Sequence, residues 1–155
     1  MPRLDKLSES TRTTLLTMPL DVNDATPFTV PGKPLSAARL AVVTSAGLHL
    51  RDDRPFASGD ATYRCIPSNA PAGDILQSHS SIGFDRSGVI ADINVVFPLD
   101  RLREMVREGA LGELAPTFYS FMGAQRDVAR IKETAPEVAE RLRADGVDVV
   151  LLTPT

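Results

Sequence analysis

The sequence predicts an α/β, three-layer sandwich around a mostly parallel, Rossmann-like or flavodoxin-like sheet. Three observations predict it. Short apolar, β-branched runs recur at residues 39–45, 91–97, 117–122 and 147–153, as expected for strands covered on both faces. Amphipathic stretches of helical period lie between the later runs. The resulting order, strand, helix, strand, helix, strand from 91 to 153, implies parallel pairing through right-handed crossovers.

The elements follow in chain order. Residues 4–17 place Leu4, Leu7, Leu15 and Leu16 among polar neighbours, a weak helical pattern. From Met18 to Leu35 four prolines and little periodicity read as an extended arm. The chain thus divides into an N-terminal helix and Pro-rich arm, 1–35, and an α/β domain, 36–155. The run Leu40-Ala41-Val42-Val43 is a buried strand ended by Ala46-Gly47. Leu99, Leu102, Met105 and Val106 fall at i, i+3, i+6 and i+7, with Asp100 near the start, Arg107 near the end and Gly109 just past it, which predicts a helix with charges matched to its dipole. A second helix is expected from about Asp127 to Ala144. Pro136 interrupts it, so Thr134 and Glu137 are expected to form a capping box at a bend or restart. Gly146 ends that helix and the last strand follows at once. That strand has no helix after it, so the sheet looks truncated, with an apolar edge open to a partner.

Composition narrows the function. The chain has 155 residues, 43% hydrophobic and 24% charged, with net charge −3 and a pI near 5.4. It has no basic block, which argues against nucleic acid. No run of 18 apolar residues and no secretory pattern occur, so neither a membrane span nor export is predicted and the protein reads as cytoplasmic. The single cysteine, Cys65, allows no intrachain disulfide and reads as a buried small hydrophobe in a strand. Two histidines, even with Asp85, Asp92 or Asp100, lack the tight spacing of metal ligands. Ser78, His79 and Asp85 contain the residue types of a hydrolase triad, but no G-x-S-x-G elbow is present. There is no G-x-G-x-x-G and no phosphate loop.

Six segments in order, LAVVTSAGLHL, GDATYRCIP, ILQSHSSIGFD, DINVVFPLDRL, LAPTFYSFMG and GVDVVLLT, resemble the selenoprotein B family of glycine, sarcosine and betaine reductases together with the D-proline reductase selenoproteins. The resemblance covers about residues 35–153. It implies an oxidoreductase subunit that cleaves a carbon–nitrogen bond of a small amino acid or amine, coupled to a disulfide/dithiol pair. It also implies other reductase subunits as partners, in a homo- or hetero-oligomer, and a pyruvoyl group in one of them. No cofactor is expected within this chain.

In the family the redox motif follows the strand that GVDVVLLT matches, so the resemblance places the catalytic selenocysteine or cysteine just after Thr155. One expectation is a product that continues past Thr155 through a UGA codon; the others are a shortened gene or a paralogue without the redox function. The alternative function is a non-catalytic α/β substrate-binding or scaffold subunit.

The strand ends and following loops, where α/β proteins bind ligands, supply the substrate-binding candidates His49, His79, Asn94, Asp100 and Gly123. His49 matches a family position and suits a substrate carboxylate or proton transfer, or else caps a backbone carbonyl. His79 lies among hydroxyls in Ser78-His79-Ser80-Ser81 and also matches a family histidine; the alternative is an exposed loop histidine. Asn94 stands out as an amide inside an expected strand, where it needs partners. Asp100 belongs to the same family pattern as Asp92, Pro98 and Arg101, and helix capping is its other reading. Gly123 suits a tight strand exit close to a ligand.

Overall fold

The structure, a computed structural model, describes residues 3–17, 24–26, 28–81, 84–125 and 128–154. Parts of the expected arm (18–23 and 27), the Asp127 start of the second expected helix, and Thr155 lie outside the described residues. The chain forms two compact units, 1–30 and 31–155. In the first, a 3-10 turn at Leu4–Lys6 precedes helix α1, Glu9–Leu16. Ser8 caps α1 by accepting a hydrogen bond from the Thr11 N–H at 3.3 Å.

The second unit is α/β with a mostly parallel sheet. Strand β1 is Arg39–Thr44. On one side it pairs in parallel with β7, Val149–Thr153, over five residues from Leu40↔Val149 to Thr44↔Thr153. On the other it pairs in parallel first with β5, Glu113–Leu114, and then with β6, Thr117–Phe121. The Glu113 and Ala115 N–H groups donate to the Ala38 and Leu40 carbonyls while the Asp148 N–H donates to the Arg39 carbonyl. Successive carbonyls of β1 thus serve opposite neighbours, so β5 and β6 are one strand line interrupted near Pro116. Strand β3, Tyr63–Pro67, closes the far edge antiparallel to β6. A separate hairpin-like pair, β2 (Leu48–Leu50) and β4 (Ile75–Gln77), is antiparallel.

Neighbouring residues of β6 point to opposite faces, and the core divides accordingly. Phe118 packs in the cluster that contains Phe97, Leu99 and Leu102, the last two from α3, Leu99–Arg107. Tyr119 and Phe121 pack with Val138 of α4, Ala129–Ala144. Helices therefore cover both faces, as the sequence predicts. Both end as expected: Gly109 and Gly146 take φ of 74° and 68°, the left-handed residues that close a helix. Asp148 then fixes the β1–β7 register, its Oδ2 accepting from the Arg39 N–H and from Lys33 Nζ, each at 2.9 Å.

Three sequence expectations are corrected. The run 91–97 is no strand. Helix α2, Ser87–Ala91, ends there and a 3-10 turn, Ile93–Val95, follows. The Asp92 side chain accepts from the Asn94 N–H at 2.9 Å, a local bond that outcompetes β pairing despite the β-branched residues. Second, α4 runs through Pro136 as one helix, and the capping box is absent. Thr134 Oγ1 donates to the Ala61 and Ile131 carbonyls, and Glu137 pairs with Arg141 at 3.0 Å. Third, Cys65 is exposed, because β3 is an edge strand and presents Ile66 to the core instead.

Among the described residues no strand pairs with the outer edge of β7. Val150 is 39% and Leu152 67% exposed on the α4 side of the sheet, where Leu152 shares a row with Val43 and Tyr119.

Candidate functional site

Two concave regions of similar size lie in the second unit. The first, a cavity of about 500 Å³, sits at the carboxyl ends of the parallel strands, lined by Thr44, Phe121, Met122, Gly123, Ile131, Leu152 and Thr153 among others. The α/β rule directs a ligand there. Its walls are apolar because they are the last rows of buried strands and the inner face of α4. Thr44, Ser45, Gln125 and Thr153 are its polar lining residues, and the Thr153 hydroxyl is buried with no hydrogen-bond partner among the described residues. The neighbouring Thr44 hydroxyl is fully used, donating to the Thr153 carbonyl and accepting from the Ala46 N–H, each at 3.1 Å. Gly123 lines this cavity, and the left-handed residue at the exit is Ala124, φ 55°, a conformation that costs a non-glycine residue about 1–2 kcal/mol.

The second region is a cleft of about 540 Å³ between β4, α2 and the 3-10 turn, lined by Leu48, Leu76, Gln77, Arg86, Asp92, Asn94 and Asp100 among others. Asn94 is its organiser. Its Nδ2 donates to Asp92 Oδ1 at 2.8 Å and Asp100 Oδ2 at 3.1 Å. Its Oδ1 accepts from the Asp100 N–H at 2.9 Å, capping α3, whose N-cap Pro98 has no side-chain donor or acceptor to offer. The amide expected inside a strand thus has all its partners in a turn. Asp100 also pairs with Arg103 at 3.2 Å, and Arg103 ties the chain at Ser68 and Ala70 to α3. Asp92 is less committed: both of its hydrogen bonds, from the Asn94 side chain and N–H, use Oδ1. These bonds hold its carboxyl below the ordinary range, so it is a carboxylate at neutral pH.

The two histidines are both buried but differ in what they leave open. His49, on β2, has both ring nitrogens occupied, Nδ1 with the Leu50 carbonyl and Nε2 with Ser78 Oγ, each at 2.8 Å. A carbonyl only accepts, so Nδ1 carries the proton and Nε2 accepts from the hydroxyl in the neutral ring. His79, 2% exposed, accepts at Nδ1 from the Ser81 N–H at 3.2 Å. Its neutral ring therefore carries its proton on Nε2, which is buried and has no partner among the described residues. Burial and the nearby Arg86 guanidinium hold its pKa below the ordinary 6.5. Arg86 Nη2 donates to the His79 carbonyl and the Arg86 side chain lines the cleft. Sequence reading missed Arg86, which carries no periodic or motif signal.

The structure thus splits the sequence candidates. Asn94 and Asp100 line the cleft, His79 adjoins it through Arg86, Gly123 lines the other cavity, and His49 fastens β2 to Ser78. Among the described residues no group of three or more His, Cys, Asp or Glu side chains could hold a metal ion, and no helix is long and apolar enough to cross a membrane.

Comparison with known proteins places these features in context. The model of the glycine/sarcosine/betaine reductase selenoprotein B family matches residues 3–155. The chain is 42% identical to D-proline reductase subunit gamma of Acetoanaerobium sticklandii, over 78% of this chain and 50% of that protein. It is 35% identical to the sarcosine reductase complex component B subunit beta of Peptoclostridium acidaminophilum, over 88% of this chain and 32% of that one. It is 32% identical to a glycine reductase complex component B subunit gamma of Symbiobacterium thermophilum, over 88% and 33%. The chain therefore spans half the length of the first of these relatives and about a third of the others. No solved structure matches it.

Proposed function

The chain belongs to the glycine/sarcosine/betaine reductase selenoprotein B family, and from that premise we propose that it forms the substrate-holding part of a reductase complex. The complex cleaves the carbon–nitrogen bond of a small amino acid or amine. A nucleophilic selenocysteine or cysteine near the end of β7, with a pyruvoyl carbonyl on a partner subunit, would supply displacement of the amine and an electron sink, and a dithiol oxidised to a disulfide would supply the two electrons. Near the end of β7 the Thr153 hydroxyl is buried and has no hydrogen-bond partner among the described residues, and the neighbouring concave surface is mostly apolar.

This chain's own residues bind and orient. The observation that carries the reading is the polar cleft, where Asp92 and Asp100 stand with Arg86 around an apolar floor of Leu48 and Val89. An ammonium group finds a carboxylate acceptor in Asp92 Oδ2, while Asn94 holds both aspartates in place. Partner subunits belong to the proposal because the relatives are named as subunits or components of complexes.

The test is made on the native assembly purified from cells. Glycine, sarcosine, betaine and D-proline are each supplied with a dithiol, and the cleavage product (free amine from the first three, the ring-opened ω-amino acid from D-proline) and oxidised dithiol are both measured. Cleavage matched one to one by disulfide is expected with at least one of them. Binding without cleavage makes the chain a non-catalytic substrate-binding subunit, and the absence of any binding overturns the reading.

A further inference from the structure

Asp92 and Asp100 both line the cleft, but their oxygens are not equally free. Asp100 Oδ2 accepts from Asn94 Nδ2 at 3.1 Å and its Oδ1 from Arg103 Nη1 at 3.2 Å. Asp92 Oδ1 accepts from both the Asn94 N–H and Nδ2, which pins the carboxylate and leaves Oδ2 uncommitted. That oxygen has no partner among the described residues, and the carboxyl is ionised at neutral pH. A cation entering the cleft therefore meets one charged, directional acceptor, best used by an N–H group. The remaining lining gives a cation without an N–H little to hold. Leu48, Leu76, Val89, Ile90 and Ile93 are aliphatic, and the Arg86 side chain carries a like charge. Arg101, whose charge also reaches Asp92, adds to that repulsion. Proteins hold quaternary ammonium groups with aromatic faces. The chain has six Phe, two Tyr and no Trp, and none of these rings lines the cleft. Phe84, close to Arg86 in sequence, packs instead against His79 with ring centroids 4.8 Å apart.

We propose that the cleft selects amines that keep at least one N–H, and that Asp92 sets this selectivity by accepting the N–H through Oδ2 while giving a quaternary ammonium group no comparable hold. The inference rests on the cleft being the amine site.

Calorimetry on the native assembly tests it with a methylation series: glycine, sarcosine, N,N-dimethylglycine and betaine. The carboxylate stays constant along the series while the N–H groups are lost in turn. Wild-type protein is expected to show a break at the last step, betaine binding at least about tenfold more weakly than dimethylglycine, the size of one hydrogen bond to a charged group. Asp92→Asn is the decisive variant. Its amide oxygen takes over the two bonds from Asn94, which leaves the amide nitrogen, a donor, in the place of Oδ2 at nearly unchanged volume. Dimethylglycine affinity then falls and the break shrinks to less than about threefold, whereas a purely structural role would lower both affinities alike. Equal binding of dimethylglycine and betaine in wild-type protein, both weakened by Asp92→Asn, overturns the selectivity and leaves the cleft as an amine site. A full break that survives in Asp92→Asn with lowered affinities takes the role from Asp92 and overturns the proposal. If Asp92→Asn changes no affinity, or if no probe binds, the cleft is not the amine site and this inference falls with that reading.

Discussion

The cleft beside α2 and the cavity at the carboxyl ends of β1, β6 and β7 are nearly equal in volume, about 540 and 500 Å³, yet opposite in chemistry. The cavity stands where parallel strands converge, and its walls are the apolar rows that hold the sheet together. The cleft is built by short turns, in which Asp92 and Asn94 bond their own neighbourhood and leave charge at the surface. Backbone convergence and charge placement are thus separated. Charged and apolar concave surfaces thus lie in separate places, and Gly47 and its neighbours connect them.

Gly47 gives the largest expected effect, because it connects the regions. Its N–H donates to the Phe121 carbonyl on the cavity side, and its carbonyl accepts from the Ser78 N–H on the cleft side. With φ of 66°, a Cβ there would stand 3.2 Å from the backbone N and Cα of His79. Gly47→Ala is expected to lose about 1–3 kcal/mol of stability from the left-handed strain and the displaced His79 segment. Urea unfolding measures the loss. Because the segment moves, the proposed amine binding at the cleft is expected to weaken too. An unchanged midpoint and unchanged binding would show that the two regions are not held together through this residue.

A paired substitution inside the cavity comes next. Thr44→Val takes the partner of the Ala46 N–H and one of the two donors to the Thr153 carbonyl, which keeps the Ser45 N–H, and about 1–3 kcal/mol of destabilisation is expected. Thr153→Val removes a hydroxyl that has no partner among the described residues at nearly constant volume, so stability stays level or rises by up to about 1 kcal/mol. Opposite signs for two threonines paired across one ladder, read from the same unfolding curves, would mark Thr153 as a donor kept for something other than folding. Equal losses would show that its hydroxyl already has a structural role.

Much of the fold was legible because its period is strong. The apolar run of β1, the i, i+3, i+7 spacing of α3, Gly146 and the last strand each state one structure. Residues 91–97 misled because a β-branched run carries no record of the Asp92 bond that curls it into a turn. Cys65 misled because edge position belongs to the sheet order, not to the local pattern. The site was legible only by parts. His79 and Asn94 stand out as polar residues in unusual company, but the open Nε2 of one and the full occupancy of the other depend on neighbours distant in sequence. Arg86 had no signal at all, since an arginine in a loop gains meaning only when a cleft and a buried imidazole are found beside it.

The smallest expected effect is the pH dependence that His79 imposes. Burial first, and then the positive charge of Arg86, lower its folded pKa below the ordinary 6.5. Between the folded and unfolded values the unfolded chain binds the extra proton and the folded one does not, so stability rises with pH across that window. The contribution is fully present above 6.5 and is lost as pH falls through the folded pKa. The carboxylates near the cleft act lower down: Asp85 and Asp92, held below 3.8 by hydrogen bonds from Ser87 and Asn94, lose their contribution only as pH falls beneath that value. Unfolding free energies measured from about pH 7.5 to about pH 5 should therefore decline in wild-type protein and decline less in His79→Phe. A decline of the same slope in His79→Phe would assign the proton to another group and leave the open Nε2 without a thermodynamic signature.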